Sequence, residues 1–277
     1  MTMLRYDFMQ RALLAAALVG LVAPAVGVFL VQRRMALMGD GIGHVALTGV
    51  ALGFLLGTAP VVTAVLAAIA GAVVIELVRQ TGRTSGDVAL SLLFYGGIAG
   101  GVLLIGLSDG GTNANLLAYL FGSLTSVSPA DLAVICALCV GVLLVVGALG
   151  RELFAVCYDE EHAQVAALPV RFLNLLLAVT AAVTVTVAMR VVGLLLVSAL
   201  MVVPVAAAQQ VVRSFRATVV VALSVGVGSA VTGVAGSFYA DTAPGALIVV
   251  IALGVFALAA GVGAARRRTA VPHRVRS

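Results

Sequence analysis

The chain has 277 residues, of which 62% are hydrophobic and 10% are charged, and its formal net charge is +5. Soluble domains carry about 25% charged residues, so this chain has too little polar surface to cover a water-soluble globule of its size. The mean hydropathy of +1.22 indicates a membrane protein instead. At about 20 apolar residues per span, the length fits eight to ten transmembrane helices.

Apolar runs between polar breaks predict an all-α, polytopic bundle of eight or nine transmembrane helices, forming a single domain over residues 1–277. The first run is longer than the apolar part of a signal peptide and leads directly into further runs, so we expect it to be retained as a span. The two runs that flank Arg190 form either two spans or one bent element. The nine candidates are 12–31, 41–56, 61–78, 88–107, 130–149, 173–189, 191–212, 217–238 and 246–264.

Glycines recur every four residues in two of these runs, at Gly49, Gly53 and Gly57 and at Gly97 and Gly101. This spacing lets the backbones of neighbouring helices approach closely. The pattern therefore predicts tight helix packing, which occurs in membrane proteins of any function.

The arginines predict the orientation of the chain. If the nine runs alternate across the membrane, 13 of the 16 arginines fall on one side. Cytoplasmic loops carry an excess of basic residues, so this side is predicted to be cytoplasmic, with the N-terminus outside and an arginine-rich tail, 266–277, inside. Glu76 precedes Arg79 by three residues, so these two side chains are expected to pair near the cytoplasmic boundary.

All sixteen basic residues are arginine, because the sequence contains no lysine. The phosphate-binding G-x-x-x-x-G-K-[ST] loop is therefore excluded, since it needs a lysine to reach the phosphates. If the protein uses ATP, another polypeptide binds it, and the chain itself is not predicted to be an enzyme. The arginines lie between apolar runs without the interleaved aromatics of a nucleic-acid-binding surface, so no nucleic-acid partner is expected.

One substantial connection is predicted on the cytoplasmic side, at 150–171, with the sequence GRELFAVCYDEEHAQVAALPVR. It is short, amphipathic and charged. A plain loop accounts for it, but a membrane protein with a single platform of this kind also has a place to receive a cytoplasmic partner.

Asp40 and His44 stand at the start of the second run. Their i, i+4 spacing places a carboxylate and an imidazole on one helical face, and this ligand set suits Zn²⁺, Mn²⁺ or Fe²⁺. Two ligands do not fill a coordination shell, but a two-fold dimer would bring two Asp and two His to its axis. Because an ionisable residue in or near hydrocarbon is a functional hypothesis by default, the pair is predicted to be half of a metal site.

Structural roles compete with this interpretation. Asp40 is also placed to cap a helix that opens at Gly41, with His44 hydrogen-bonded to a neighbour. Ser198 and Pro204 lie in VVGLLLVSALMVVP, whose proline either breaks a helix near a permeation path or forms a kink that packing satisfies. The spacing alone leaves these alternatives open.

Three stretches together resemble a known family: RRMALMGDGIGHVALTGVALGFLLG at 33–57, YDEEHAQVAALPVRFLN at 158–174 and MRVVGLLLVSALMVVPVAAA at 189–208. In order and spacing they resemble the membrane permease of the zinc/manganese-type ABC importers, which has the type II ABC importer fold. With the matching hydropathy, the resemblance covers nearly the whole chain, and three ordered motifs are more specific than any one of them.

The resemblance implies a homodimeric, multi-pass permease of the bacterial cytoplasmic membrane, docked on cytoplasmic ABC ATPase subunits and supplied by an extracytoplasmic metal-binding protein. It implies no permanently bound cofactor, since Zn²⁺, Mn²⁺ or Fe²⁺ is the substrate and ATP binds to the partner. In that family the Asp and His of the G-D-x-x-x-H stretch belong to the metal path, and here they are Asp40 and His44. The ATPase-coupling residues implied here are Arg151, Glu152, Asp159, Glu160, Glu161 and Ala163.

Three positions depart from the family pattern. Gly43 stands where serine is usual, Thr48 where proline is usual, and Ala167 where glycine is usual in the coupling stretch. Thr48 shares the helical face of Asp40 and His44, so these departures are expected to affect metal preference or gating.

Two other functions would use the same two residues. A secondary transporter would carry protons on Asp40 and His44 and would need no ATPase. An intramembrane metalloenzyme would hold a stoichiometric metal ion, whereas a transport site binds weakly enough to release its ion.

Overall fold

The structure is a computed structural model that describes residues 5–82, 86–107, 120–123 and 128–269. Ten helices are followed from end to end within these residues, none of which lies in a strand, so the predicted all-α class is confirmed. Arg83 and the end of the arginine-rich tail, 270–277, lie outside the described residues. The helices are α1 (Asp7–Gln32), α2 (Met38–Leu55), α3 (Pro60–Gln80), α4 (Gly86–Leu107), α5 (Pro129–Tyr158), α6 (Glu160–Val165), α7 (Val170–Ala188), α8 (Leu194–Val211), α9 (Phe215–Ala240) and α10 (Pro244–Thr269).

Eight of these helices are long and apolar enough to cross a membrane: α1 to α5, α7, α9 and α10. The runs that flank Arg190 form two separate helices, because α7 ends at Ala188 and α8 begins at Leu194. Gly193 lies between them with φ +88°, a conformation that glycine adopts without steric cost. The shorter apolar part of α8, Leu196–Val211, accompanies the eight spans, and the chain is a multi-pass membrane protein.

Close helix contacts occur at glycines that the sequence pattern indicated. A Cβ atom on Gly49 would lie 2.7 Å from the Cα atom of Ala64, so α2 and α3 touch backbone to backbone. Gly53 approaches the Cα atom of Pro60 in the same way. Gly57 instead occupies the turn after α2, with φ +63° and open space around it. Tight packing is therefore confirmed at Gly49 and Gly53, whereas Gly57 serves the turn.

α1 lies at the centre of the bundle and packs against α5, α7, α8 and α9. A Cβ atom on its Gly20 would lie 2.7 Å from the carbonyl oxygen of Gly226 in α9, so small residues bring these two helices together. α2 packs against α3 and α4 on one side and against α7 and α8 on the other. Residues at the start of α2 are therefore positioned by several helices at once.

Ion pairs mark the two ends of the bundle. Glu76 is buried near the end of α3 and accepts from Arg79, with an N–O distance of 2.8 Å, so the predicted pair is confirmed. Asp131 at the start of α5 pairs with Arg190, which follows α7. Asp131 and Arg190 line a cavity with Pro60 at the start of α3, whereas Glu76 and Arg79 lie at the end of that helix, so the two pairs lie at opposite ends. This agrees with the alternation deduced from the arginines.

Candidate metal site and coupling surface

Asp40 lies in the first turn of α2 and is bonded to α8. The N-terminal cap of α2 is Leu37, and no side chain caps this end of the helix. The hydroxyl of Ser198 in α8 donates to Oδ1 of Asp40 at 2.5 Å. The alternative in which Asp40 merely caps its own helix is therefore wrong.

No arginine pairs with Asp40 among the residues that the structure describes. Three other carboxylates in the described helices form ion pairs with arginine: Glu76, Asp131 and Glu160. Asp40 belongs to none of these pairs, and its donor is the neutral hydroxyl of Ser198. A neutral donor orients a carboxylate without cancelling its charge, and a charge inside a protein is normally paired or coordinates a metal. The Asp40 carboxylate therefore remains available to a cation.

His44 lies one turn further along α2, on the same face as Asp40. Its ring meets the ring of Phe94 in α4 edge-on, with the two centroids 4.6 Å apart. Its Nδ1 is buried and has no hydrogen-bond partner among the described residues. The competing structural role, a hydrogen bond to a neighbour, is therefore not fulfilled at this nitrogen. A neutral imidazole nitrogen without a partner is a potential metal ligand.

Backbone contacts hold His44 against α4. A Cβ atom on Gly97 would lie 2.7 Å from the carbonyl carbon of His44 and 2.7 Å from the amide nitrogen of Val45. The hydroxyl of Thr48 donates to the carbonyl oxygen of Gly97 at 2.8 Å. Thr48, which departs from the family pattern, thus bonds α2 to α4 one turn beyond the imidazole.

A cavity of about 340 Å³ lies beside Asp40, between α2 and α4. Two of its lining residues, Leu37 and Tyr95, are 69% and 68% exposed, so the cavity opens at the surface of the single chain. No group of three or more His, Cys, Asp or Glu able to hold a metal occurs in the part of the chain that the structure describes. The described part of one chain therefore adds no third ligand of these types to Asp40 and His44, and His44 is not among the residues that line this cavity. The lining residues are Leu37, Asp40, Leu90, Ser91, Phe94 and Tyr95.

The predicted coupling stretch contains the short helix α6. Asp159 starts this helix, because its carboxylate accepts from the backbone N–H of His162 at 2.9 Å. Ala163 is buried, whereas Glu161 is exposed and Val165 is 86% exposed. One face of α6 therefore packs on the bundle and the other presents both a charge and an apolar side chain.

The last turns of α5 contribute two further residues of the predicted coupling set. Arg151 is exposed, as expected for a residue that meets a partner. Glu152 is only partly exposed, and its Oε2 is buried without a hydrogen-bond partner in the described part of the chain. These two neighbours therefore differ in how much of each side chain a partner could reach.

Arg33 anchors α6 to the bundle. Its guanidinium donates to Oε2 of Glu160 at 3.0 Å and to Oδ1 of Asn174 at 2.5 Å, and Nδ2 of Asn174 donates to Oε1 of Glu160 at 3.2 Å. This cycle joins the end of α1 to α6 and α7. From the sequence, Arg33 was predicted only as a topology signal, and no role was predicted for Asn174. A single amide inside an apolar run was the available signal, because buried polar side chains are hydrogen-bonded.

Ala167 follows α6 in the left-handed region of backbone conformation, with φ +58°. This conformation costs a residue other than glycine about 1–2 kcal/mol. Glycine is usual at this position in the family that the sequence resembles, so the departure leaves a strained alanine directly after α6.

Comparisons with known proteins agree with this architecture. A model of the ABC 3 transport family matches residues 5–262. The chain is 35% identical over 257 residues to the manganese transport system membrane protein MntC of Halalkalibacterium halodurans, covering 93% of this chain and 88% of that protein. It is 35% identical over 254 residues to the chelated iron transport system membrane protein YfeD of Yersinia pestis, covering 92% and 85%. A chain of PsaBC from Streptococcus pneumoniae, solved in complex with Fab, superposes with a TM-score of 0.83 and 30% identity, covering 93% of this chain and 92% of that chain.

Proposed function

The chain belongs to the ABC 3 transport family and is the membrane permease of an ABC importer for metal ions, and from this premise we propose how it binds its cargo and its partners. The cargo is a divalent cation, Mn²⁺, Zn²⁺ or Fe²⁺, which Asp40 and His44 ligate on its way across the membrane. Two copies of the chain form the path. Separate cytoplasmic subunits bind and hydrolyse ATP, and an extracytoplasmic metal-binding protein delivers the ion.

The proposal rests mainly on Asp40, a carboxylate within the bundle that has a hydroxyl donor and, among the described residues, no arginine partner. His44 adds a buried Nδ1 without a partner in the described chain. A carboxylate oxygen and an imidazole nitrogen suit Mn²⁺, Fe²⁺ and Zn²⁺ alike. The relatives named for manganese and for chelated iron support a metal as the cargo.

A second copy of the chain completes the ligand set. The metals in question take four or more ligands, and one chain offers Asp40 and His44. A two-fold axis beside the open cavity at Leu37 and Tyr95 would bring the same pair from the partner to the same ion. Four ligands shared between two movable subunits hold the ion temporarily and release it when the subunits shift.

The surface formed by α6 is the proposed docking site of the ATPase subunits. Two exposed apolar residues, Tyr158 just before α6 and Val165 at its end, lie on either side of the exposed carboxylate of Glu161 in the chain. Apolar surface next to charge is typical of interaction sites. The cycle of Arg33, Asn174 and Glu160 ties α6 to α1 and α7. Movement of α6 during the ATPase cycle is therefore transmitted to α1 and α7. The resulting shift of the spans opens the path to one membrane face and then to the other. This end of the bundle, and with it the C-terminus, faces the cytoplasm.

Uptake by the complete transporter tests the metal site. Asp40→Ala and His44→Ala are each expected to reduce accumulation of Mn²⁺ and Zn²⁺ to background, while the permease still co-purifies with its ATPase. Asp7→Asn, which changes an exposed carboxylate in α1, is the control and should transport normally. Normal uptake of both metals by both alanine variants would overturn the proposal. Uptake driven by a proton gradient without any ATPase, or a stoichiometric metal in the purified chain, would also contradict it.

Co-purification tests the docking surface. Val165→Glu places a charge in the exposed apolar position and is expected to prevent the ATPase from co-purifying with the permease. Val165→Thr keeps the shape of the side chain and should retain the partner. Full retention of the ATPase by the Glu variant would show that α6 does not form the interface.

A further inference from the structure

We propose that Ser198 is a positioning residue for cation binding at Asp40. The inference rests on the proposed function, because it assigns a role to α8 at the same metal site. Ser198 lies in the second turn of α8, is 9% exposed, and donates to Oδ1 of Asp40 at 2.5 Å.

The hydrogen bond of Ser198 differs from that of most hydroxyls in the described helices. Serine and threonine in membrane helices often donate to the carbonyl of the preceding turn. The side chains that do so in the described helices include Thr180, Thr184, Thr186, Thr218, Ser224 and Thr232. Ser198 donates instead to a carboxylate on another helix. Its hydroxyl is therefore committed to Asp40 and not to the backbone of α8.

The close approach of α2 and α8 makes this bond possible. A Cβ atom on Gly39, the residue before Asp40, would lie 3.3 Å from the Cβ atom of Ser198 and 3.4 Å from Sδ of Met201. These distances are tighter than ordinary van der Waals contact, so a small residue at position 39 brings the carboxylate within reach of the hydroxyl.

Fixing one oxygen determines how the carboxylate meets an ion. The bond from Ser198 to Oδ1 restricts rotation of the carboxylate. Its other oxygen, Oδ2, is therefore already oriented for a cation, and binding loses less side-chain entropy. The hydroxyl is neutral, so it stabilises the carboxylate by a hydrogen bond and leaves its negative charge to attract the cation. Loss of this donor should therefore weaken metal binding more than it slows the transport cycle.

The test compares two Ser→Ala variants in the complete transporter, with permease, ATPase and binding protein present and Mn²⁺ as the probe. Ser198→Ala is expected to raise the KM for Mn²⁺ uptake about tenfold, the size expected for a lost hydrogen bond to a charged group. The maximal rate should stay within about twofold of the wild-type value, because the substitution weakens binding of the ion and leaves the later steps of transport intact. Ser224→Ala removes a hydroxyl that bonds only to its own helix and should leave both values unchanged.

A second variant covers the case in which Ser198→Ala accumulates poorly. Ser198→Cys keeps the size of the side chain but offers only a weak S–H donor, so it should also raise the KM. If both variants keep the wild-type KM, or lower only the maximal rate, Ser198 has a structural role and the inference is wrong. If Asp40→Ala itself transports Mn²⁺ normally, the proposed metal site fails instead, so the two failures are distinguishable.

Discussion

The hydroxyl of Thr48 in α2 donates to the carbonyl oxygen of Gly97 in α4 at 2.8 Å. This bond joins the helix that carries Asp40 and His44 to the helix that forms the other wall of the adjacent cavity. The same hydroxyl lies 3.3 Å from the carbonyl oxygen of His44. The position at which this chain departs from the usual proline therefore connects the imidazole-bearing turn of α2 to its neighbour.

Replacing Thr48 with valine should loosen this connection. Thr48→Val removes the interhelical hydrogen bond and should lower the free energy of unfolding by about 0.5–1.5 kcal/mol. Thermal unfolding of the detergent-solubilised protein measures the change. Thr232→Val is the control, because that hydroxyl donates to Gly228 in its own helix and its loss should cost less. Equal destabilisation of the two variants would contradict an interhelical role for Thr48.

Two adjacent glycines in α4 provide a test of the close approach between α2 and α4. Gly97→Ala would place a Cβ atom 2.7 Å from the backbone of His44 and Val45, whereas a Cβ atom on Gly96 has open space around it. We expect Gly97→Ala to destabilise the protein by about 1–3 kcal/mol, as overpacking does, and to reduce metal uptake. Gly96→Ala should preserve both stability and uptake. If the two variants behave alike, the close approach of α2 and α4 is not required.

Two neighbouring glutamates in α6 are predicted to differ in how much each contributes to the stability of the protein. Glu160 accepts from both Arg33 and Asn174, while Glu161 is exposed. Glu160→Gln should lower the free energy of unfolding by about 1 kcal/mol, a modest value because the Glu160 side chain is 42% exposed and solvent screens the pair. Glu161→Gln should leave the unfolding temperature unchanged. A larger loss of stability in Glu161→Gln would show that Arg33 does not anchor α6 through Glu160.

Relief of backbone strain should stabilise the connection after α6. Ala167→Gly removes the cost of φ +58°, partly offset by the greater freedom of glycine in the unfolded chain, for a net gain of about 0.5–1 kcal/mol. Ala166→Gly is the matched control, because Ala166 has φ −74° and carries no such strain. Glycine there only increases the freedom of the unfolded chain, which lowers stability. Thermal unfolding should move in opposite directions for the two variants. A fall in stability with Ala167→Gly would show that the strain is compensated locally.

The shared helical face of Asp40 and His44 was predictable from the sequence, but the residues that contact them were not. The i, i+4 spacing of Asp40 and His44 follows from helix geometry alone. Ser198 is 158 residues away from Asp40 in the chain, and no periodicity connects residues on different helices. The hydrogen bond from Ser198 to Asp40, and with it the evidence against a helix cap, therefore appears only in the packing of α2 against α8.

The contacts that hold α6 to the bundle were not predictable from the local sequence either. The sequence placed Asp159 within the predicted cytoplasmic connection at 150–171, and the structure makes it the N-cap of α6. Glu160 was assigned to the partner surface, but Arg33 and Asn174 hold its carboxylate. A charge run does not reveal which of its members turn inward, because that depends on distant helices.

The sequence by itself determined that this chain is a helical membrane protein, because the hydrophobic content and the spacing of polar breaks leave no other way to satisfy its backbone groups in lipid. It also determined the arginine-rich end of the bundle and the face on which Asp40 and His44 lie. Only the tertiary structure decided that Asp40 is bonded to Ser198, that His44 packs against Phe94 and Gly97, and that Arg33 holds α6. These contacts join residues far apart in the chain, and those of Asp40 and His44 form where two small residues, Gly39 and Gly97, let α2 approach α8 and α4.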